Sequence, residues 1–137
     1  MKEETVIKVE GLTKVFGDFI AVNNINFHVR KGEIFGFLGA NGAGKTTAMK
    51  MLIGMSDPRS GSANVAGFDV YNQTENIKKS IGYMSQKFAL YDDLTVKENI
   101  RFFGGIYGLS KNRISLKSNL LIEELGLEKV VHSLVGS

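Results

Sequence analysis

One glycine-rich segment has the residue types and the spacing of a phosphate-binding loop. Within GANGAGKTT, residues 39–47, the pattern G-x-x-x-x-G-K-[ST] is satisfied by Gly39, Gly44, Lys45 and Thr46. Glycines let successive backbone N–H groups point into one concavity, and a helix start adds unpaired donors with a partial positive charge. In the known use of this loop, the lysine reaches the β- and γ-phosphates and the hydroxyl binds Mg²⁺. The segment therefore predicts a site for a nucleoside triphosphate.

The segments on either side of this loop predict the elements that would position it. Residues 34–38 (IFGFL) are apolar and follow a Lys-Gly turn, which favours a buried strand. Residues 48–53 (AMKMLI) contain good helix formers and precede Gly54, so a helix is expected there. Strand, loop and helix in this order are the context that the motif requires. The alternative is a glycine-rich turn with a solvated lysine.

Upstream of the loop, the pattern predicts about three antiparallel strands. Residues 6–9 form a first strand that ends near Gly11, and residues 15–22 form a hairpin around the turn at Gly17 and Asp18. Residues 24–30 alternate strictly between polar and apolar side chains, which is typical of a half-buried strand.

Downstream, the chain changes from strand-rich to helical near residue 90. A strand is predicted at residues 62–65, a short helix at 76–80 and another strand at 81–86. Thr95 and Glu98 form a capping box, so a helix should begin at about residue 96, with Val96, Ile100, Phe103 and Tyr107 on one face. Gly104 and Gly105 interrupt this helix at a cost of about 1 kcal/mol each relative to alanine. A last helix is predicted over residues 114–125, ended by Gly126.

Composition excludes several classes of protein. The 137 residues allow one domain with a sizeable core, and the absence of cysteine excludes a disulfide framework and thiolate chemistry. The net charge of +3 is spread along the chain, which gives little support for nucleic-acid binding. No apolar run approaches bilayer length and the first residues lack a secretory signal, so a cytoplasmic location is expected.

Three motifs in register resemble the ATP-binding subunits of ABC transporters, and the resemblance covers the whole chain. They are the loop itself, residues 12–17 (LTKVFG) with Phe16 at the aromatic position, and residues 81–86 (IGYMSQ), which resemble the family's Q-loop and end at Gln86. Residues 91–96 (YDDLTV), with Glu98 and Asn99, further resemble subunits of ABC-2 type exporters.

The resemblance implies an α/β fold: a P-loop NTPase of ABC ATPase type, with an N-terminal antiparallel β-subdomain and the start of a helical subdomain. Residues 1–90 would form the nucleotide-binding core and β-subdomain, and residues 91–137 the incomplete helical subdomain. ATP and Mg²⁺ are the implied cofactors, with Phe16 stacking on adenine and with Thr46 and Gln86 near the metal. The implied nucleotide-binding residues are Phe16, Gly39, Ala40, Asn41, Gly42, Ala43, Gly44, Lys45, Thr46, Thr47 and Gln86.

The resemblance also implies partners. The family's ATP-binding subunit works as a dimer with a second such subunit, on the cytoplasmic face of a membrane-spanning subunit. No nucleic acid is expected as a partner. The implied roles of Phe16 and Gln86 each have an alternative. Phe16 would instead fill the core in the hairpin, and Gln86 would instead be an ordinary surface residue.

Hydrolysis in this family needs parts that the sequence does not supply. The Walker B strand should end in Asp-Glu, yet its nearest match, residues 120–124 (LLIEE), has helical periodicity. His28 and His132 do not match the switch histidine, and the signature motif would follow residue 137. No catalytic residue is therefore assigned, and we expect the front part of an ATPase domain without turnover of its own.

Other classes stay open. They are a soluble P-loop kinase or GTPase, a nucleic-acid ATPase of ABC type, and a nucleotide-binding or interaction module that does not hydrolyse.

Overall fold

The computed structural model describes residues 4–85 and 90–136. The chain divides into two compact units, Met1–Gly82 and Tyr83–Ser137. Each unit contains its own secondary structure and is described by itself.

The first unit is built on a four-stranded antiparallel sheet. Its strands are β1 (Thr5–Phe16), β2 (Phe19–Arg30), β3 (Ser60–Val65) and β4 (Phe68–Asp69), in the order β2-β1-β3-β4. The predicted hairpin turn at residues 17–18 joins β1 to β2 and is confirmed.

The sequence predicts about three strands before the loop, whereas the structure has two continuous strands of 12 residues each. The register of β1 against β2 shifts between Val9 and Leu12 and again between Leu12 and Lys14, so the breaks expected near Gly11 and Asn24 are bulges. Both residues have positive φ, of 63° and 48°, and a bulge lets the strand bend without ending.

Two helices complete the first unit. Helix α1 (Lys45–Leu52) follows the glycine-rich loop as predicted, and helix α2 (Thr74–Ser80) follows β4. The buried residues of α1 pack with the inward side chains of the sheet and with α2. The core cluster comprises Val9, Leu12, Val22, Ala48, Met51, Leu52, Ala63, Val65, Val70 and Ile77. This core fixes the start of α1, and hence the loop, next to the sheet.

Residues 34–38 do not form the buried strand that the sequence predicts. Ile34 is 100% exposed and Leu38 is 95% exposed, while the rings of Phe35 and Phe37 each lie 5.1 Å from the ring of Phe27 on β2. One side of this extended segment is therefore packed and the other faces solvent.

The prediction of a strand over residues 81–86 is wrong for residues 81–85, which form no strand. Residue 86 lies outside the described residues. A strand exists only through backbone hydrogen bonds to a neighbour. In the part of the chain that the structure describes, no strand pairs with residues 34–38 or 81–85.

The second unit contains two helices, α3 (Val96–Ile106) and α4 (Lys111–Glu124). The predicted capping box is confirmed: the Glu98 N–H donates to Thr95 Oγ1 at 3.2 Å, and the Thr95 N–H donates to Glu98 Oε2 at 2.9 Å. Hydrogen bonds from the Thr95 hydroxyl and then from its backbone N–H hold the pKa of the Glu98 carboxyl below its usual value.

The paired glycines of α3 lie inside the helix, which continues through both to Ile106. A Cβ at Gly104 would lie 2.9 Å from Cγ1 of Ile114 on α4, whereas a Cβ at Gly105 would meet nothing within 4 Å. Gly104 therefore permits the close approach of α3 and α4, a role that the sequence pattern does not reveal.

The end of α4 confirms a helix over residues 120–124. Gly126 has φ 64°, its N–H donates to the Glu123 carbonyl at 3.2 Å, and the Leu127 N–H donates to the Ile122 carbonyl at 2.9 Å. This is the Schellman pattern of a helix that ends at glycine. The Leu-Leu-Ile-Glu-Glu match to a Walker B strand is thereby excluded. Among the described residues, every helix is too short or too polar to span a bilayer.

Candidate functional site

The glycine-rich loop lies against β2 through one glycine. Gly44 has φ 83°, and a Cβ there would overlap the carbonyl oxygen of Ala21. Both its backbone angle and its contact therefore require glycine. Gly39 and Gly42 also have positive φ, of 155° and 82°, so the loop follows a path that other residues rarely adopt.

Helix α1 begins directly after the loop with no group to neutralise its end. Gly44 provides no side-chain cap, and the first turn holds no acidic residue. The N-terminus of a helix carries about half a positive charge and up to four backbone N–H groups without helical partners. This end of α1 therefore favours an anion.

Lys45, the first residue of α1, folds back over the loop. Its ammonium donates to the carbonyl oxygens of Gly39, at 2.5 Å, and of Ala40, at 2.6 Å. The charge of Lys45 thus lies at the opening of the loop, held by neutral acceptors that a phosphate oxygen can replace.

The remaining predicted loop residues are within reach of solvent. Ala40, Asn41 and Thr46 are exposed and Thr47 is half-buried. Ala43 closes a turn within the loop, since its N–H donates to the Ala40 carbonyl at 3.2 Å. The structure thus brings residues 39–47 together as one exposed loop with α1.

A cavity of about 560 Å³ opens beside the loop. One side is formed by the start of β2, including Phe19 and Ile20, and the other by loop residues that include Gly42 and Lys45. Phe19 therefore lies close to the loop, a placement that the sequence reading does not predict because it depends on the path of β2.

Phe16 lies at the end of β1, opposite Phe19 across the hairpin. Its side chain is 53% exposed, which excludes the alternative that it fills the core. The Lys14 ammonium lies 5.1 Å from the centre of the Phe16 ring and also donates to the Asp57 carbonyl at 2.6 Å. This arrangement is a cation–π contact on one face of the ring.

The other residues considered from the sequence fall elsewhere. Gln86 lies outside the described residues. His28, on β2, and His132, after α4, are both exposed, and Glu123 and Glu124 lie on α4. Within residues 4–85 and 90–136, no cluster of three or more His, Cys, Asp or Glu side chains forms a metal site.

Asn99 is a structural residue that the sequence reading assigns only to the exporter resemblance. Its side chain is 3% exposed. It accepts from the Tyr91 N–H at 2.9 Å and donates to the carbonyls of Tyr91, Leu94 and Thr95 at 3.0 to 3.3 Å. Asn99 therefore ties the loop before α3 to the helix itself.

The glycine loop, its lysine and the uncapped start of α1 form the loop-and-helix arrangement of a P-loop protein, and the comparisons with known proteins identify its family. Residues 22–137 match the ABC transporter family. The chain belongs to that family, as the three motifs in its sequence predict.

Relatives and a solved structure agree with this assignment. The chain is 48% identical over 127 residues to the probable multidrug ABC transporter ATP-binding protein YbhF of Escherichia coli, covering 93% of this chain and 22% of that protein. It is 39% identical to the Nod factor export ATP-binding protein I of a Rhizobium species, covering 97% of this chain and 44% of that protein. The solved ATP-binding subunit of an ABC transporter superposes with a TM-score of 0.81 at 29% identity, covering 95% of this chain and 54% of that one. The chain therefore spans between a fifth and about half of the length of these proteins.

Proposed function

We propose that this chain binds Mg-ATP as part of the nucleotide-binding subunit that powers an ABC-type transporter, specifically an exporter. The observation that carries the proposal is the uncapped start of α1, with the Lys45 ammonium resting on carbonyl oxygens of the adjoining loop. The direction of transport is supported by relatives whose names refer to multidrug transport and Nod factor export.

The residues present fit a triphosphate. In the proposed complex, backbone N–H groups of residues 39–47 bind the phosphate oxygens, and Lys45 exchanges its two carbonyl acceptors for them. The hydroxyl of Thr46 is exposed and suits Mg²⁺, which accepts hard oxygen ligands and retains bound phosphate and water. Phe16 offers adenine the ring face opposite Lys14. Gln86 is proposed as the second residue near the metal.

The proposal extends to partners and to turnover. A membrane-spanning subunit would receive the work of ATP binding and hydrolysis, and a second ATP-binding subunit would complete the site as a dimer, peripheral on the cytoplasmic face of the membrane. Within the described residues, no group of three or more His, Cys, Asp or Glu side chains could hold a metal ion. A nucleotide-binding module without hydrolysis is the second candidate function for these 137 residues.

The test is calorimetric titration of the chain with Mg-ATP, comparing Lys45→Ala with wild type. A hydrogen bond to a charged partner contributes about 1.5–3 kcal/mol, so Lys45→Ala should weaken binding by about 10- to 150-fold. Lys50→Ala is the matched control, because Lys50 is an exposed lysine in the last turn of the same helix. Equal affinities of wild type and Lys45→Ala would contradict the assignment.

A further inference from the structure

A second polar cavity, of about 510 Å³, lies in the second unit between α3 and α4. From α3 it is lined by Lys97, Arg101 and Gly105, which are spaced four residues apart and therefore lie on one helix face. We call this cavity the basic groove. It is distinct from the glycine loop, which belongs to the first unit.

The wall formed by α4 contains one basic and three other polar residues beside the apolar Ile114. Lys111, Ser115, Ser118 and Asn119 line it, at the spacing of one helix face. An apolar cavity of about 880 Å³, lined by residues such as Ile100 and Phe103, is also formed by these helices. Lys97, Arg101 and Lys111 line the smaller cavity and not the apolar one.

The three cations of the basic groove have no acidic neighbour in its lining. Among the described residues, Lys97, Arg101 and Lys111 form no ion pair. Glu98 is the acid next to them in sequence, and its carboxylate accepts from Thr95 Oγ1 at 2.7 Å and from the Thr95 N–H at 2.9 Å. Attraction by the Arg101 guanidinium is the smallest of the influences on the pKa of Glu98. Cations that line one groove repel one another, and an anion between them reduces that repulsion.

A buried hydroxyl provides a second, independent indication of a ligand. Ser118 is 3% exposed, and its Oγ has no hydrogen-bond partner within the described part of the chain. A buried polar group without a partner is unfavourable, because it has lost its hydrogen bonds to water. Ser118 also lines the groove, so this unpaired hydroxyl belongs to its wall.

Space in the groove is also available. Gly105 lines it, and a Cβ at this position would meet nothing within 4 Å. The volume accommodates a phosphate group with part of the molecule that carries it, and phosphate offers several oxygens to the fork of an arginine and to the point charges of two lysines.

We propose that the basic groove between α3 and α4 binds a phosphate monoester or diester, with Arg101 and Lys97 on one side, Lys111 on the other and Ser118 as a hydroxyl donor. The phosphate belongs either to a soluble phosphate ester or to a lipid headgroup. All residues of this site belong to the second unit.

The test uses the full chain carrying Lys45→Ala, so that phosphate binding at the loop does not contribute. Inorganic pyrophosphate is titrated by calorimetry. In a parallel experiment, vesicles of phosphatidylcholine alone and of equal parts phosphatidylcholine and phosphatidylglycerol are sedimented with the protein. We expect binding of pyrophosphate or of the anionic vesicles, but not of the neutral vesicles. Pyrophosphate binding alone identifies a soluble ester, and vesicle binding alone identifies a headgroup.

Two matched double variants then distinguish binding in the groove from nonspecific attraction to the positive charge of the chain. Lys97→Gln with Arg101→Gln should weaken binding at least about tenfold, because each charged hydrogen bond contributes about 1.5–3 kcal/mol. Arg113→Gln with Lys117→Gln removes the same charge from α4 outside the basic groove and should change binding less than about twofold. Gly105→Asp, which adds a carboxylate to the groove, should also abolish binding.

Three results would each overturn the proposal. They are an absence of binding to both probes, an equal loss in the two double variants, and unchanged binding in Gly105→Asp.

Discussion

The aromatic residue at the end of β1 is exposed, and one of its faces is occupied by a cation. Phe16 therefore has one ring face for a ligand, while Lys14 and its hydrogen bond to Asp57 hold the other side. A base stacked on an aromatic ring contributes about 1–3 kcal/mol. The position suits an adenine platform better than a packing role.

We expect Phe16→Ala to weaken ATP binding by about 1–3 kcal/mol and Phe16→Tyr to be nearly neutral, because tyrosine keeps the ring face. The affinity for inorganic triphosphate, which has no base, should not change in either variant. Calorimetry with both ligands measures this.

Phe19→Ala is the matched control, since Phe19 lies opposite Phe16 and lines the cavity beside the loop. A loss of ATP affinity in Phe19→Ala alone would indicate that adenine stacks on Phe19 instead of Phe16. An equal loss in Phe16→Ala and Phe16→Tyr would indicate that Phe16 acts through packing.

For individual residues, the sequence predicts features that depend on near neighbours in the chain. It does not predict contacts that depend on how the strands pair. Gly44, Lys45 and Thr46 could be placed in one loop before a helix because the pattern spans only nine residues. The approach of Gly44 to Ala21 and the placement of Phe19 beside the loop depend on β2, which is distant in sequence. The roles of the individual loop residues, and that of Gln86, stay predictions.

Helices α3 and α4 meet through a glycine that has no conformational role. Gly104 lies in regular helix, yet a Cβ there would lie 2.9 Å from Ile114 Cγ1 and 3.2 Å from its Cδ1. Gly105, its neighbour, faces open space. The two glycines thus differ in packing alone.

This difference predicts opposite effects of one substitution. Gly105→Ala should stabilise the chain by up to about 1 kcal/mol, the difference in helix propensity. Gly104→Ala gains the same propensity but incurs an overpacking cost of about 1–3 kcal/mol, so it should be neutral or destabilising. Urea unfolding followed by circular dichroism gives both free energies. Equal stabilisation by the two variants would mean that α4 does not pack on Gly104 in solution.

Helix ends could be predicted from the sequence, and two strands could not. The Thr95–Glu98 capping box lies at the start of α3, and Gly126 lies at the end of α4. Both act through residues that are close in sequence, so the sequence alone predicts these helix ends. Residues 34–38 and 81–85 have the composition of buried strands but lack a hydrogen-bonded neighbour in the described chain. Composition reports which side chains suit a strand, whereas pairing decides whether one forms.

At the scale of the whole molecule, the chain carries the glycine-loop part of its family's fold and spans less than half of the length of the curated relatives above. The antiparallel sheet and the helix after the loop are those that the family resemblance implies. In our proposal, Phe16 and residues 39–47, which bind the base and the phosphates, all belong to the first unit. Catalysis makes larger demands, because phosphoryl transfer depends on several charged groups positioned together.

The last prediction is that a polypeptide of these 137 residues does not turn over ATP. Thr46 supplies a hydroxyl for Mg²⁺, but hydrolysis in the family also uses a Walker B acid, a glutamate that orients water and the signature motif of an opposing subunit. The one sequence match to Walker B lies in α4 and ends in Glu123 and Glu124, as helix rather than strand. Because such groups act as a unit, their joint absence should leave the rate near the uncatalysed background.

A phosphate-release assay on the purified chain, with Lys45→Ala as control, measures this. Enzymes commonly turn over about 1–1000 times per second. We expect no difference between wild type and control. A rate of even about 0.1 per second in the wild type, absent from Lys45→Ala, would contradict the prediction, since it lies far above an uncatalysed hydrolysis. In that case Glu123→Gln and Glu124→Gln become the next variants, because these are the acids that the sequence places in a Walker B-like order.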